Sequence, residues 1–278
     1  VMENLDELFR KRYGLSEAKI KGDHLSDTIC DLLNRRRIRR YTEEAISDDL
    51  LDTLLACSQS APTKSNLQQY SIIVTRNNAR RMQLAELNPD TGHMKYCPVI
   101  LTFCADIRRG QRITNRHGLT FSNNNMDTFL NSVVDAALAM QCFVTAAESA
   151  GLGCAPISQV RNRMREFCDI LEIPKGVFPI AGMTLGWPAW DGRLNPRLPM
   201  EIVVHKETYK DDRLYTLVEG YDDVRHQLAP ISKENQSHTE IYGTSEHCSW
   251  SENIARQLSV PERSDFKKFL LSNGFDLS

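Results

Sequence analysis

Between Met126 and Ser149 the chain carries one long segment that is apolar or small nearly all round, including Val133, Val134, Ala136, Ala137, Leu138, Ala139, Met140, Phe143, Val144, Ala146 and Ala147. Free of proline and glycine, it predicts a helix. A helix with apolar residues on most faces is buried on several sides, so the rest of the chain must be built around it. Gly151 and Gly153 stop it, as glycines do past a helix C-terminus.

The remaining elements mix types. Short runs rich in β-branched and apolar residues predict strands at 70–75, 98–104, 178–187 and 201–205. The run at 98–104 is apolar on both pleat faces, which implies cover on both sides. Leu5, Leu8 and Phe9 share a helical face, and the first 34 residues read as helical. Ser26 or Asp27 can cap a segment carrying Ile29, Leu32 and Leu33. Ser47 caps another with Leu50, Leu51, Leu54 and Leu55, ending near Ser60 because Ala61 precedes Pro62. Further helices are predicted at 79–87, 159–171, 213–228, 249–258 and 262–273. Residues 107–125, with asparagines at 123–125, read as an exposed irregular excursion, and 230–247 as a long loop. No regular βαβ alternation, GxGxxG or P-loop pattern occurs. The expected class is therefore α+β with a mostly antiparallel sheet flanked by helices, and not a Rossmann fold.

Net charge narrows the partners. The formal charge of −2 gives no global positive excess for wrapping nucleic acid. The richest apolar run, 133–147, is interrupted by Asp135 and Gln141 and falls short of the roughly 20 residues a membrane span needs, so no membrane partner is expected. The first residues lack the basic-then-apolar order of a signal peptide, which makes a cytoplasmic chain the expectation. None of the eight cysteines forms a CxxC pair, and most sit in apolar segments, as reduced buried thiols do. The seven histidines include no HxxxH spacing, so no metal is expected.

Four segments could carry chemistry. Arg35-Arg36-Arg37-Ile38-Arg39-Arg40 concentrates positive charge in an acidic chain. A solvated basic patch, a nucleic-acid patch and a phosphate clamp are all readings of it, the last because the guanidinium fork donates two parallel hydrogen bonds. The loop Thr63-Lys64-Ser65-Asn66-Leu67 offers short polar side chains and free backbone N–H groups. The piece 151–159 links two helices and could present backbone donors to a flat ligand or serve only as a connection. Asn195-Pro196-Arg197-Leu198-Pro199 sets one arginine in a proline-stiffened loop.

Taken in order, these segments resemble the nitroreductase family, in its branch of larger NADPH-dependent nitroreductases and flavin reductases. The matching residues are Arg36, Ile38, Arg39, Tyr41, Thr42 and Glu44; then Ser65, Leu67 and Gln68; Phe103, Cys104, Ala105 and Asp106; and Ala146, Ala147, Glu148, Ser149, Gly151, Leu152 and Gly153. Arg161-Asn162, Leu185-Gly186-Trp187-Pro188-Ala189, Pro196-Arg197-Leu198-Pro199 and Trp250-Ser251 follow. The resemblance covers roughly residues 28–275.

It implies an α+β sandwich that forms an intertwined homodimer, with FMN in the dimer interface and NADPH or NADH as electron donor. An N-terminal helical extension (1–27), an FMN-binding core (28–210) and a C-terminal helical arm (211–278) follow from it. Arg35, Arg36, Arg37 and Arg39 match the N-terminal flavin-binding run, with Arg36 and Arg39 expected near the phosphate and ring. Thr63, Ser65, Asn66 and Leu67 match a second flavin segment, expected from the other subunit. Pro156, Ile157, Ser158 and Gln159 match the stretch along the isoalloxazine, and Arg197 a phosphate ligand. The branch has histidine and serine where Arg35 and Arg37 stand, and lysine where Asn195 falls. It places arginines for the nicotinamide phosphate where this chain reads 241–247, Ile-Tyr-Gly-Thr-Ser-Glu-His, without one. The implied activity passes electrons to small acceptors, namely nitroaromatics, quinones or free flavin, in a ping-pong cycle with no general base, because the flavin carries the redox chemistry. Rival readings are other flavin chemistry on the same scaffold, such as reductive dehalogenation, and a non-enzymatic flavin- or anion-binding protein.

Overall fold

The computed structural model describes residues 5–15 and 26–278. The parts of the expected N-terminal helical segment at 1–4 and 16–25 lie outside them. In chain order the helices are α1 (Leu5–Tyr13), α2 (Asp27–Asn34), α3 (Asp48–Gln59), α4 (Asn78–Glu86), α5 (Arg108–Arg116) and α6 (Met126–Ser149). They continue as α7 (Met164–Ile170), α8 (Met200–Val203), α9 (Leu214–Leu228), α10 (Thr239–Tyr242), α11 (Trp250–Leu258) and α12 (Phe266–Ser272). The strands are β1 (Tyr70–Thr75), β2 (Val99–Asp106), β3 (Gly153–Ile157) and β4 (Val177–Gly186). The chain divides into two compact units: Val1–Arg36 with Arg193–Glu262, and Arg37–Gly192 with Arg263–Ser278.

The second unit holds the sheet. Its order is β1-β2-β4-β3 with every pair antiparallel. All eight residues of β2 are buried. Leu101 and Phe103 point to one core with α3, α6 and α12, where Leu54, Ala139, Phe143 and Phe269 pack. Ile100 points to the other with Leu84, Met94, Val160 and Phe167. The expected two-sided cover is thus met, and each buried large apolar side chain contributes about 1.5–3 kcal/mol. Asn125 caps α6 by accepting the Thr128 N–H at 2.9 Å. Asn124 holds the returning C-terminus through Gly274 O and Asp276 N, with Phe275 buried against Phe129 and Phe178.

By length and composition α6 would pass as a membrane span, contrary to the reading of its interrupted apolar run. Its Ala136, Ala139, Phe143, Val144 and Ala147 are nonetheless buried in the core cluster. The small residues serve contact within the chain. The exposed side is a stripe of Met126, Leu130, Val134 and Leu138.

Three local expectations are corrected. Residues 108–116 form α5, although Ile113 is the one large apolar residue of its arginine-rich sequence; the Asp106 carboxylate accepts the Arg109 N–H at its start. Residues 201–205 are not a strand. Pro199 precedes the short helix α8, and Val203 and Val204 are exposed with no sheet to join. The predicted helix 159–171 breaks into a short 3-10 turn at Gln159–Arg161 and α7. None of the eight cysteines is in a disulfide; Cys97, Cys104, Cys154, Cys168 and Cys248 are buried, but Cys57 is exposed and Cys30 and Cys142 half-buried.

The first unit is helical: α1 packs with α2, and Tyr221 of α9 meets Trp250 of α11 edge to face. Within the expected loop at 230–247, a 3-10 turn at Lys233–Asn235 and α10 form. The Gln236 amide bonds both N and O of Ser245, at 2.8 and 2.7 Å.

Candidate functional site

The first unit contains Arg35, Arg36 and Arg197 of the expected site. Arg12, which the sequence reading passed over, organises them. Its guanidinium donates to the carbonyls of Leu33 (2.8 Å), Arg35 (2.6 Å) and Asn195 (3.3 Å), and its own carbonyl accepts the Arg197 N–H at 2.9 Å. Burial, and after it the charges of Arg197, Arg35 and Arg36, push the Arg12 guanidinium down to about 10. Four arginines thus share one neighbourhood. The Arg36 Nε is buried without a hydrogen-bond partner among the described residues. An orphaned buried donor in a positive cluster suits an anion with several acceptor oxygens.

The second unit contains the others. Ile38 is buried, and Arg37 and Arg39 on either side of it are exposed. The segment is laid against β3: the Ile38 N–H donates to Cys154 O at 3.2 Å, and a Cβ on Gly153 would lie 2.6 Å from Ile38 Cβ, so only glycine permits the approach. Tyr41 anchors the far end, its hydroxyl bonding Ile38 O and Thr184 Oγ1, both at 2.7 Å. Burial pushes the Tyr41 phenol far above its usual range. Further along β3, Pro156 and Ser158 are exposed and Ile157 is buried, while Gln159 has a buried Oε1 without a partner among the described residues. His93 is another residue the sequence did not single out. Burial, then the charges of Arg39 and Arg37, push its imidazole down to about 4.

The loop holding Thr63, Ser65, Asn66 and Leu67 stands at the opposite edge of the sheet, before β1. Ser65, Asn66 and Gln68 have φ of 49°, 56° and 50°, left-handed for residues with side chains. The Asp135 carboxylate on α6 accepts the N–H groups of Lys64 and Gln69. Arg109 of α5 donates to Gln68 O (2.7 Å) and Tyr70 O (3.0 Å). Leu67 is 58 % exposed. β1 and β3 are the two outer strands, three spacings or about 14 Å apart. Within one chain this loop and Pro156–Gln159 therefore do not converge.

The chain matches the family model described as the nitroreductase family over residues 32–187, and the family's C-terminal domain over 195–278. It belongs to the nitroreductase family. It is 32 % identical to an FMN reductase (NAD(P)H) of Bacillus subtilis, over 90 % of this chain and 98 % of that one. It is 34 % identical to an oxygen-insensitive NADPH nitroreductase of Salmonella typhimurium, over 90 % and 99 %. Among solved structures, the oxidoreductase YcnD of Bacillus subtilis superposes with a TM-score of 0.81 at 32 % identity, covering 91 % of this chain and all of that one. The NADPH:FMN oxidoreductase of Vibrio harveyi, complexed with NAD+, gives 0.79 at 26 % identity, covering 90 % and 98 %. The expected family and the α+β fold are thereby met, and the chain is an oxidoreductase of this family.

Proposed function

We propose that this chain is an FMN-dependent oxidoreductase that draws electrons from NADH or NADPH and delivers them, in a ping-pong cycle, to nitroaromatics, quinones or free flavin. The observation that carries the reading is the arginine cluster with its unpartnered Arg36 Nε. A phosphate monoester, dianionic and rich in acceptors, satisfies what that cluster leaves open. Arg36 and Arg197, with Arg35, would hold the phosphate. Arg37 and Arg39 would bring positive charge to the ring, Pro156 to Gln159 would lie along it, and the Gln159 Oε1 is an acceptor in want of a donor such as a ring N–H.

FMN, when bound, supplies the redox chemistry by taking a hydride from the nicotinamide and passing the electrons on. The protein binds, orients and excludes water, and positive charge near the ring stabilises its reduced anion. No side chain is needed as a general base.

The active form is a homodimer. Thr63, Ser65, Asn66 and Leu67 precede β1 and Pro156 lies on β3, outer strands about 14 Å apart, so a second copy is needed to bring its loop to the first copy's flavin. The exposed stripe on α6 offers an apolar face for that copy. The test is the spectrum of the purified protein, followed by kinetics. One FMN released per chain, with parallel double-reciprocal lines for donor and acceptor, is expected. A protein that neither carries nor takes up FMN would overturn the reading.

A further inference from the structure

Arg12 lies in the last turn of α1, ahead of both stretches matched by the family models. It is 6 % exposed. The helix that carries it is firmly seated: Leu8 is fully buried, Phe9 stacks on Tyr13 at 5.8 Å, and a Cβ on Gly14 would meet Val224 Cγ1 at 2.3 Å. Through its three bonds to Leu33 O, Arg35 O and Asn195 O, and the bond from Arg197 N, Arg12 joins two segments far apart in the chain. The Tyr221 hydroxyl, donating to Pro196 O at 3.0 Å, fixes the second segment from α9.

We infer that Arg12 is the positioning residue of the cofactor-phosphate site, bracing the backbone at Arg35 and at Asn195–Arg197 so that the side chains of Arg36 and Arg197 are set for one phosphate. The inference rests on the reading of Arg36 and Arg197 as phosphate ligands. Arg12 spends these hydrogen bonds on neutral carbonyls, so its role is geometry plus a positive background. Gathering like charges before the anion arrives moves the ordering cost out of the binding step, which is how a preorganised site gains affinity. The N-terminal helix is then a working part of cofactor binding.

The test compares FMN with riboflavin, which lacks the phosphate, on the full-length chain stripped of flavin. In Arg12→Met the FMN dissociation constant should rise about tenfold or more, the scale of one lost charge-assisted contact. The riboflavin constant should move less than about threefold, well under one such contact. A merely structural role would weaken both flavins alike, and that outcome would overturn the inference. Arg12→Lys keeps the charge, but one nitrogen cannot span three carbonyls. It should resemble Arg12→Met, and it carries the test if that variant does not fold. Full recovery with lysine would also overturn the bracing role. Arg36→Ala and Arg197→Ala separate the two levels. If both bind FMN like wild type, the phosphate reading itself falls. If both lose FMN and Arg12→Met does not, only the brace is wrong.

Discussion

The carboxylate of Asp135 accepts the backbone N–H of Lys64 at 2.9 Å, across 71 positions of sequence, and closes the same clamp on Gln69 at 3.0 Å. Asp135 is 1 % exposed on α6. The loop between those two N–H groups contains Ser65, Asn66 and Gln68 in left-handed conformations, which cost energy unless the surroundings fix them. The clamp on the loop's two ends is what the structure offers for that.

Asp135→Ala would leave both N–H groups without their acceptor. Each bond to a charged group contributes about 1.5–3 kcal/mol, so a loss of roughly 3 kcal/mol is expected in urea unfolding. Asp135→Asn keeps one acceptor oxygen but turns an amide N–H₂ toward the other N–H, so it should be intermediate. FMN retention should fall in the same order. Wild-type stability in Asp135→Ala would refute the clamp.

The sequence alone exposes the frame of this architecture and misses what positions its site. β2 and β4 are legible because a strand covered on both faces requires an unbroken apolar run, and α6 because apolar and small residues cover most of its faces. α5 is not, because Arg109 donates to the Asp106 carboxylate and to the 68–70 backbone, and Ile113 is the one large apolar residue in the helix. Val203 and Val204 mislead because β-branched residues favour a strand only where a sheet is there to receive them. Asp135 did leave a signal: a carboxylate inside a buried apolar helix must find donors, and it read instead as an interruption. Arg12 left none, since Arg10-Lys11-Arg12 looks like any solvated basic end of a helix.

His93 gives a pH signature. Its imidazole is held down at about 4, below the ordinary 6.5, by burial first and by Arg39 and Arg37 after it. The unfolded chain therefore binds the proton more readily, and stability rises with pH across the window from about 4 to about 6.5, being lost as pH falls through it. His93→Phe should flatten that slope by about 1–2 kcal/mol, allowing for the residue's partial exposure. In NMR titration, Arg39→Ala should move His93 upward but not to 6.5, because burial is the larger cause. An unchanged His93 in that variant would refute the contact with the arginine field.

The exposed apolar stripe makes the dimer testable. Leu130 and Leu138 stand two turns apart on the free side of α6, 57 % and 37 % exposed. A carboxylate on each would bury charge in any interface made there, at a cost of several kcal/mol. Leu130→Glu/Leu138→Glu should run as a monomer in light scattering, with a near-wild-type far-UV spectrum, and should lose bound FMN. Dimeric elution of the double variant would place the second copy elsewhere.

Donor preference follows from the loop at 241–247. Among the described residues the guanidinium bound to it is that of Arg256, 8 % exposed, whose nitrogens are given to Gly243 O (2.7 Å) and Glu252 Oε1 (2.6 Å). Gln236 closes the loop on Ser245, and the loop's one acidic residue, Glu246, holds the Lys233 ammonium in an ion pair. A 2′-phosphate needs an arginine or lysine free to receive it. If the nicotinamide lies over this loop, NADPH gains nothing from its extra phosphate, so kcat/KM for NADH should equal or exceed that for NADPH. Glu246→Arg adds a cation at the loop's end and releases the Lys233 ammonium from its carboxylate partner. It should shift the ratio toward NADPH by about tenfold, the scale of one exposed-to-half-buried charge contact. A wild-type enzyme that prefers NADPH strongly, and keeps that preference unchanged in Glu246→Arg, would mean that the phosphate is recognised by residues outside this loop.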